Sequence, residues 1–171
     1  MYNLREYSDE EIIELVKNNK IEIKDFIDSG ICPTCFDREN NNILYGNKDD
    51  KMLYQDGLFE CFLVSNPRSN GHTVINTKMH YKDMLSINDL VCSEIFKLAK
   101  RVMIILKDVY KAESIYLCTM CDGPMNHFHI QLIPRYKEEP RGSKNFVKPR
   151  GEFIKDINKI EEIRRRLRKF N

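Results

Sequence analysis

An α+β domain, with helices packed on one antiparallel sheet, is the fold class that three features of the chain predict. Val91, Ile95, Leu98, Val102, Ile105 and Val109 recur at helical spacing through one long segment. Short runs rich in β-branched and aromatic residues alternate with turn-forming clusters. Amphipathic stripes flank these at both ends, Ile12, Leu15 and Val16 near the start and Ile157, Ile160, Leu167 and Phe170 near the finish. At 171 residues the chain fits a single domain spanning 1–171 and can bury a sizeable core.

The elements follow in order. Ser8 with Glu11 three residues on reads as a capping box opening the first helix. A second short helix covers Ile21 to Asp28 and ends before Gly30. Cys32-Pro33-Thr34-Cys35 reads as a knuckle-like turn, and a polar loop continues through Asp37–Asn42. Ile43–Tyr45 and Met52–Gln55 are predicted as short strands divided by the turn Gly46-Asn47-Lys48-Asp49-Asp50. Leu58–Ser65 is a stronger strand, closed by Asn66-Pro67 and the Ser69-Asn70-Gly71 turn, and Thr73–Asn76 is the next. Ser86 with Asp89 resembles the cap of the long helix. Ser114–Met120 returns as a strand, Asp122-Gly123-Pro124 turns, and His127–Ile133 is a strand stopped by Pro134. The last helix is basic.

Composition narrows the class. Hydrophobic residues at 42% and charged residues at 32% describe a chain able to fold, unlike a disordered one. No run of about eighteen apolar residues occurs, so no membrane span is expected. The polar, acidic start MYNLREYSDEE lacks the apolar stretch of a signal peptide, which gives a cytoplasmic expectation. Thiols stay reduced there, and the six Cys then point to metal or packing roles before disulfides. Charge is uneven: residues 134–171 hold 13 Lys and Arg against 6 Asp and Glu, while residues 1–133 carry a net of −5. The basic C-terminal extension, 151–171, is either a solvated helix face or a contact for nucleic acid or another anionic partner.

Chemistry concentrates in His127-Phe128-His129-Ile130-Gln131-Leu132-Ile133. On a strand, alternate side chains share a face, so Phe128, Ile130 and Leu132 would fill the core. His127, His129 and Gln131 would then line up opposite, successive Cα atoms about 6–7 Å apart. Imidazoles offer a nucleophile or acid–base group and the carboxamide offers N–H donors, a ladder suited to phosphate. Cys32 and Cys35 have the spacing at which two thiolates reach one tetrahedral zinc. Two further ligands come either from His80 and His127 or from the second pair, Cys118 and Cys121; spacing does not choose between them.

The run Asn66-Pro67-Arg68-Ser69-Asn70-Gly71-His72-Thr73-Val74-Ile75-Asn76-Thr77-Lys78-Met79-His80 completes a recognisable order: CxxC, strand, GH, strand, KxH, long helix, strand, HxHxQ. The chain from about Cys32 to Arg135 resembles the histidine-triad superfamily of nucleotide hydrolases and transferases, and its four His, at 72, 80, 127 and 129, all fall on motif positions. The resemblance implies a histidine-triad-like α+β fold, His129 as nucleophile, and His72 as the active-site histidine of the GH motif. It also implies a structural zinc on Cys32, Cys35, His80 and His127, which favours the mixed thiolate–imidazole site. A nucleotide substrate and a homodimer paired through the long helix and sheet are implied as well.

Three positions depart from the family pattern. Gln131 stands where the third His is usual, and HxHxQ looks like the branch of galactose-1-phosphate uridylyltransferase and the diadenosine tetraphosphate phosphorylases, where Gln holds the phosphoryl group. Pro124 replaces a Ser that often precedes the triad. Asn66 is the nearest polar candidate for the role of the acidic residue that holds ribose. The expected activity is therefore nucleotidyl transfer, to water or another acceptor, from phosphate esters, phosphoanhydrides or phosphoramidates. Two other classes stay open: a zinc-stabilised binding module for nucleotides or nucleic acid, and a zinc hydrolase whose open metal is held by His80, His127 and His129.

Overall fold

The computed structural model describes residues 2–46 and 48–170. The chain forms α1 (Asp9–Lys17), α2 (Ile23–Asp28), α3 (Pro33–Glu39), β1 (Met52–Gln55), β2 (Phe59–Leu63) and β3 (Thr73–Thr77). It continues through α4 (Asp89–Val109), β4 (Ser114–Cys118), β5 (His129–Arg135), α5 (Lys144–Val147) and α6 (Ile157–Leu167). The five strands make one antiparallel sheet in the order β1-β2-β3-β5-β4. The fold is α+β, as the sequence predicts, with one long helix and flanking helices.

The core lies between the sheet and α4. Val91, Ile95, Leu98, Val102 and Ile105 are buried from α4, opposite Ile75, Phe128, Ile130 and Leu132. α6 joins the same core through Ile160, Ile163 and Leu167, each no more than 2% exposed. Its arginines are tied to the protein: Arg164 donates to the carbonyls of Met52 and Asp49, Arg165 pairs with Glu162, and Arg166 pairs with Asp108. The basic extension is thus a structural helix with a charged outer face. A second, smaller core of Leu4, Ile12, Ile21, Phe26 and Phe36 holds the N-terminal helices together.

Local chemistry explains where elements differ from expectation. The Ser8–Glu11 box forms as the sequence predicts, and a Glu22–Asp25 box starts α2. The CxxC segment is a helix start and not a knuckle turn: Cys32 is the N-cap and Pro33 takes the first helical position, where its missing N–H costs nothing. The predicted polar loop is replaced by α3 as far as Glu39. Ile43–Tyr45 is no strand, because the Asp37 carboxylate accepts the N–H groups of Leu44 and Tyr45 at 2.7 and 3.1 Å. Of the turn that follows, Asn47 lies outside the described residues. α4 is capped by Asn88, whose side chain accepts from Val91; Ser86 instead closes a 3₁₀ turn capped by Asp83.

β5 begins at His129, two residues later than predicted, and runs through Pro134. The Arg135 carbonyl faces β4, where it accepts from Glu113. Pro134 therefore faces the other way, beyond the end of β3, and its missing N–H breaks no ladder bond. The Ser69 hydroxyl donates to the Pro134 carbonyl at 2.7 Å. In the predicted C-terminal stripe Ile157 is half exposed, Ile163 is an added core position, and the side chain of Phe170 lies outside the described residues.

Ile163→Ala should destabilise the protein by about 2–5 kcal/mol in urea unfolding, the cost of a cavity in a packed core. Arg165→Ala, on the solvent face of the same helix, should stay within about 0.5 kcal/mol of the parent. Equal, small effects would contradict a core role for α6.

Candidate functional site

Cys32 and Cys35 from the start of α3, His80 just after β3, and His127 just before β5 converge, with their ligand atoms within 4.8 Å of one another. His127 Nδ1 lies 3.5 Å from Cys32 Sγ and 3.4 Å from Cys35 Sγ, and His80 Nδ1 lies 3.5 Å from Cys35 Sγ. Around a tetrahedral zinc with usual bond lengths, sulfur and nitrogen ligands stand about 3.5 Å apart, so the donor set has the dimensions of such a site. His127 Nε2–H donates to the Thr77 carbonyl at 2.7 Å, which turns the Nδ1 lone pair toward the thiols and fixes the tautomer a metal needs. A hydrogen bond from the Cys35 thiol, with help from His127, pulls Cys32 down to about 3 against burial. The same bond, together with burial, pushes Cys35 up. The four residues could bind a metal ion.

Neither rival arrangement forms among the described residues. Cys118 sits on β4 opposite Gln131 and Cys121 packs at the edge of the core, both outside the cluster. His129 is also outside it, which removes the metal site of three histidines.

A directed chain of hydrogen bonds runs through the sheet beside the cluster. The Arg68 backbone N–H donates to His72 Nδ1 at 3.1 Å, so the His72 proton is on Nε2. That Nε2–H donates to Gln131 Oε1 at 3.1 Å, and this orients the amide. The Gln131 Nε2 group is then left facing His129 Nε2 at 3.3 Å. His129 Nδ1–H donates to the His127 carbonyl at 2.9 Å, which leaves the lone pair on Nε2. Gly71 lets this chain begin: its φ is +79°, and a Cβ there would stand 2.8 Å from the Tyr110 ring. His72, 1% exposed, is held down to about 4, first by burial and then by the Arg150 charge. Burial also lowers His129, so its imidazole is neutral near pH 7.

His129 and Gln131 face a cleft of about 390 Å³. Phe62, Val64 and Val74 give it an apolar floor, and Tyr45 and Thr34 form one wall. Lys48, Lys51 and Arg150 supply three cations, with no carboxylate in the lining. Lys48 is buried and paired with the fully buried Asp37 at 2.7 Å; Lys51 donates to Ser65. Asn66 lines the cleft, and its carbonyl accepts from Arg150 at 3.0 Å. Cys32, Cys35, His80, His127, His72, His129, Gln131 and Asn66 therefore fall at the cluster, the chain or the cleft, and Cys118 and Cys121 do not. Sequence reasoning missed Thr34, Tyr45, Lys48, Lys51 and Arg150. Only the basic run around Lys148-Pro149-Arg150 carried any signal.

A five-stranded antiparallel sheet packed on one long helix is the arrangement of a histidine-triad domain. The HIT domain matches residues 45–138, more than half of the chain, and the protein belongs to that family. It is 27% identical over 115 residues to an uncharacterized HIT-like protein of Saccharolobus solfataricus, covering 65% of this chain and 82% of that one. It is similar to the crystal structure of a hypothetical histidine triad nucleotide-binding protein from Sulfolobus tokodaii, with 26% identity and a TM-score of 0.58 over 81% of this chain and 90% of that one. A zinc-bound histidine triad family protein from Mycobacterium smegmatis shares the fold at 15% identity and a TM-score of 0.61, over 81% of this chain and 94% of that one. No described helix is long and apolar enough to cross a membrane.

His72 makes a testable contribution to pH dependence. Its folded pKa of about 4 lies below the unfolded value of about 6.5, so the unfolded chain binds more protons between these values. The contribution is intact above pH 6.5 and is lost as pH falls to 4, on the order of 3 kcal/mol in all. Urea titrations at pH 7 and pH 4.5 should show a smaller acid loss for His72→Gln than for the parent, and parallel losses would refute it.

Proposed function

We propose that this protein is a nucleotidyl hydrolase or transferase that works through a nucleotidyl-histidine on His129. The observation that carries the reading is the hydrogen-bond chain ending at an unprotonated His129 Nε2 that faces a cationic cleft. Its substrates would be nucleoside phosphate esters, phosphoanhydrides or phosphoramidates. The base would lie on the apolar floor by Phe62 and Val74, with the α-phosphate over His129.

His129 Nε2 donates its electron pair to the α-phosphorus, the bond to the leaving group breaks, and that group departs with the bonding pair. The Nδ1–H bond to the His127 carbonyl stabilises the positive charge on the phosphorylated ring. When Nε2 bonds phosphorus, the Gln131 N–H loses its acceptor there and can turn to a phosphoryl oxygen, steadied by His72. In the second half an acceptor oxygen attacks phosphorus, the phosphorus–nitrogen bond breaks with its pair returning to His129 Nε2, and the acceptor's proton passes to solvent water. The Gln131 position supports kinship with the uridylyltransferase and dinucleoside-polyphosphate phosphorylase branch, whose acceptors are not limited to water.

Zinc on Cys32, Cys35, His80 and His127 fits the same reading as a structural ion, tying α3 to the sheet without touching the reacting phosphorus. A homodimer through α4 belongs to it as well, supported by the exposed Leu90, Phe96 and Ile104 on that helix.

Acid-quenched mass spectrometry after incubation with a nucleotide panel should reveal a nucleotidyl adduct on His129. His129→Gly should abolish it and lower kcat at least about 10³-fold, and Gln131→Ala should cost about 10²–10³-fold. Full activity in His129→Gly would end the covalent mechanism. Absence of both adduct and turnover in the parent would leave a nucleotide-binding module.

Native spectra should show one zinc per chain, absent from Cys35→Ser. Zinc at about a hundred times its Kd should add about 2.7 kcal/mol to the stability of the parent and nothing to the variant. A parent whose thermal midpoint ignores zinc would remove the metal assignment.

A further inference from the structure

The segment between α5 and α6 is a strap laid across the loop that carries His72. Gly151 N–H donates to the Pro67 carbonyl at 2.8 Å, Arg68 donates to the Lys148 carbonyl at 2.6 Å, and Arg150 donates to the Asn66 carbonyl at 3.0 Å. These bonds place Arg150 in the lining of the cleft that holds His129 and Gln131, although it lies beyond the 45–138 span of the HIT domain. The charge there is not neutralised. Neither Arg68 nor Arg150 is paired with a carboxylate among the described residues, and Arg68 Nε is buried without a hydrogen-bond partner. Of the three cleft cations only Lys48 is paired with a carboxylate; Lys51 donates to the Ser65 hydroxyl and Arg150 to a carbonyl, and of these two only Arg150 offers a planar fork. A guanidinium without a carboxylate partner, in a cleft whose lining holds no carboxylate, complements an anion.

Building on the nucleotidyl-transfer reading, we infer that Arg150 of this strap is the residue that selects substrates with a second phosphate beyond the α-phosphate, engaging it with the planar guanidinium fork. The substrate class is then the phosphoanhydrides, nucleotides whose leaving group is itself a phosphate, in preference to phosphoramidates or simple esters. Arg150 contacts the departing group, and His129 and Gln131 contact the phosphorus that reacts.

Calorimetric titration of the parent, Arg150→Ala and Arg150→Lys with ADP and with AMP, at one ionic strength, tests this without requiring turnover. The parent should bind ADP at least about 10-fold more tightly than AMP, as expected of a charge-assisted contact. Arg150→Ala should lose about 10–100-fold toward ADP and less than about 3-fold toward AMP. Arg150→Lys, which keeps the charge without the fork and carries the test if the alanine variant does not fold, should lie between. Equal losses on both ligands, or none on either, would overturn the assignment. A missing His129 adduct would remove the transfer mechanism, while the ADP–AMP comparison would still decide the role of Arg150.

Discussion

Everything in this molecule hangs on the two-residue period of β5. Phe128, Ile130 and Leu132 are at most 1% exposed and pack against α4, which settles which way the intervening residues face. A register slip of one residue would put three large apolar groups in the cleft and two polar groups in the core. The hydrophobic effect thus orients the polar ladder, and no catalytic interaction is needed to aim His129 or Gln131. Burial has a second consequence. Because both are largely out of water, the His72 and His129 imidazoles are held neutral and must take the tautomer their neighbours permit. One backbone N–H, that of Arg68, is then enough to set the direction of the whole chain.

His127 stands where two separate hydrophobic cores meet. The N-terminal helices close on Phe26 and Phe36, and the sheet closes on α4 and α6. The links are the cysteine–histidine cluster and the Asp37–Lys48 pair, both of which have one member on or before α3 and the other on the far side of the junction. Asp37 is fully buried, and its other oxygen accepts two backbone N–H groups, so the pair has its charges compensated, the condition under which a buried ion pair persists. Thr34 lies between the two cysteines and lines the cleft, as does Lys48. A metal ion at the junction would therefore also hold one wall of the cleft.

How far the sequence revealed this depended on how local each signal was. The ladder, the GH turn and the long helix are encoded by neighbours in the chain, through alternation, positive φ and helical spacing. The cysteine–histidine set is not local, and its spacing left two arrangements open until the sheet brought His80 and His127 to the same place. The errors have local physical causes. Pro33 made a helix where a turn was expected, and Asp37 captured the N–H groups that a strand at Ile43–Tyr45 would have used. Asp37, Lys48 and Arg150 were invisible because charged residues in loops look solvated until a long-range contact buries or pins them.

The C-terminal third explains why the cleft has an end. β5 passes beyond β3 after Leu132, and the loop before β3 would otherwise stand open at that edge. Ser69 bridges to Pro134, the strap crosses Pro67, and α6 then packs Ile160, Ile163 and Leu167 into the main core. The strap is anchored at both sides, by α6 in the core and by the Lys148–Glu139 pair at 2.6 Å, so the position of Arg150 is set by packing and not by the cleft itself. A basic segment that composition alone presents as a solvated tail is thus held against the loop that orients His72. Its arginines divide by environment: those on α6 are spent on carbonyls and carboxylates, and Arg150 keeps its charge for the cleft.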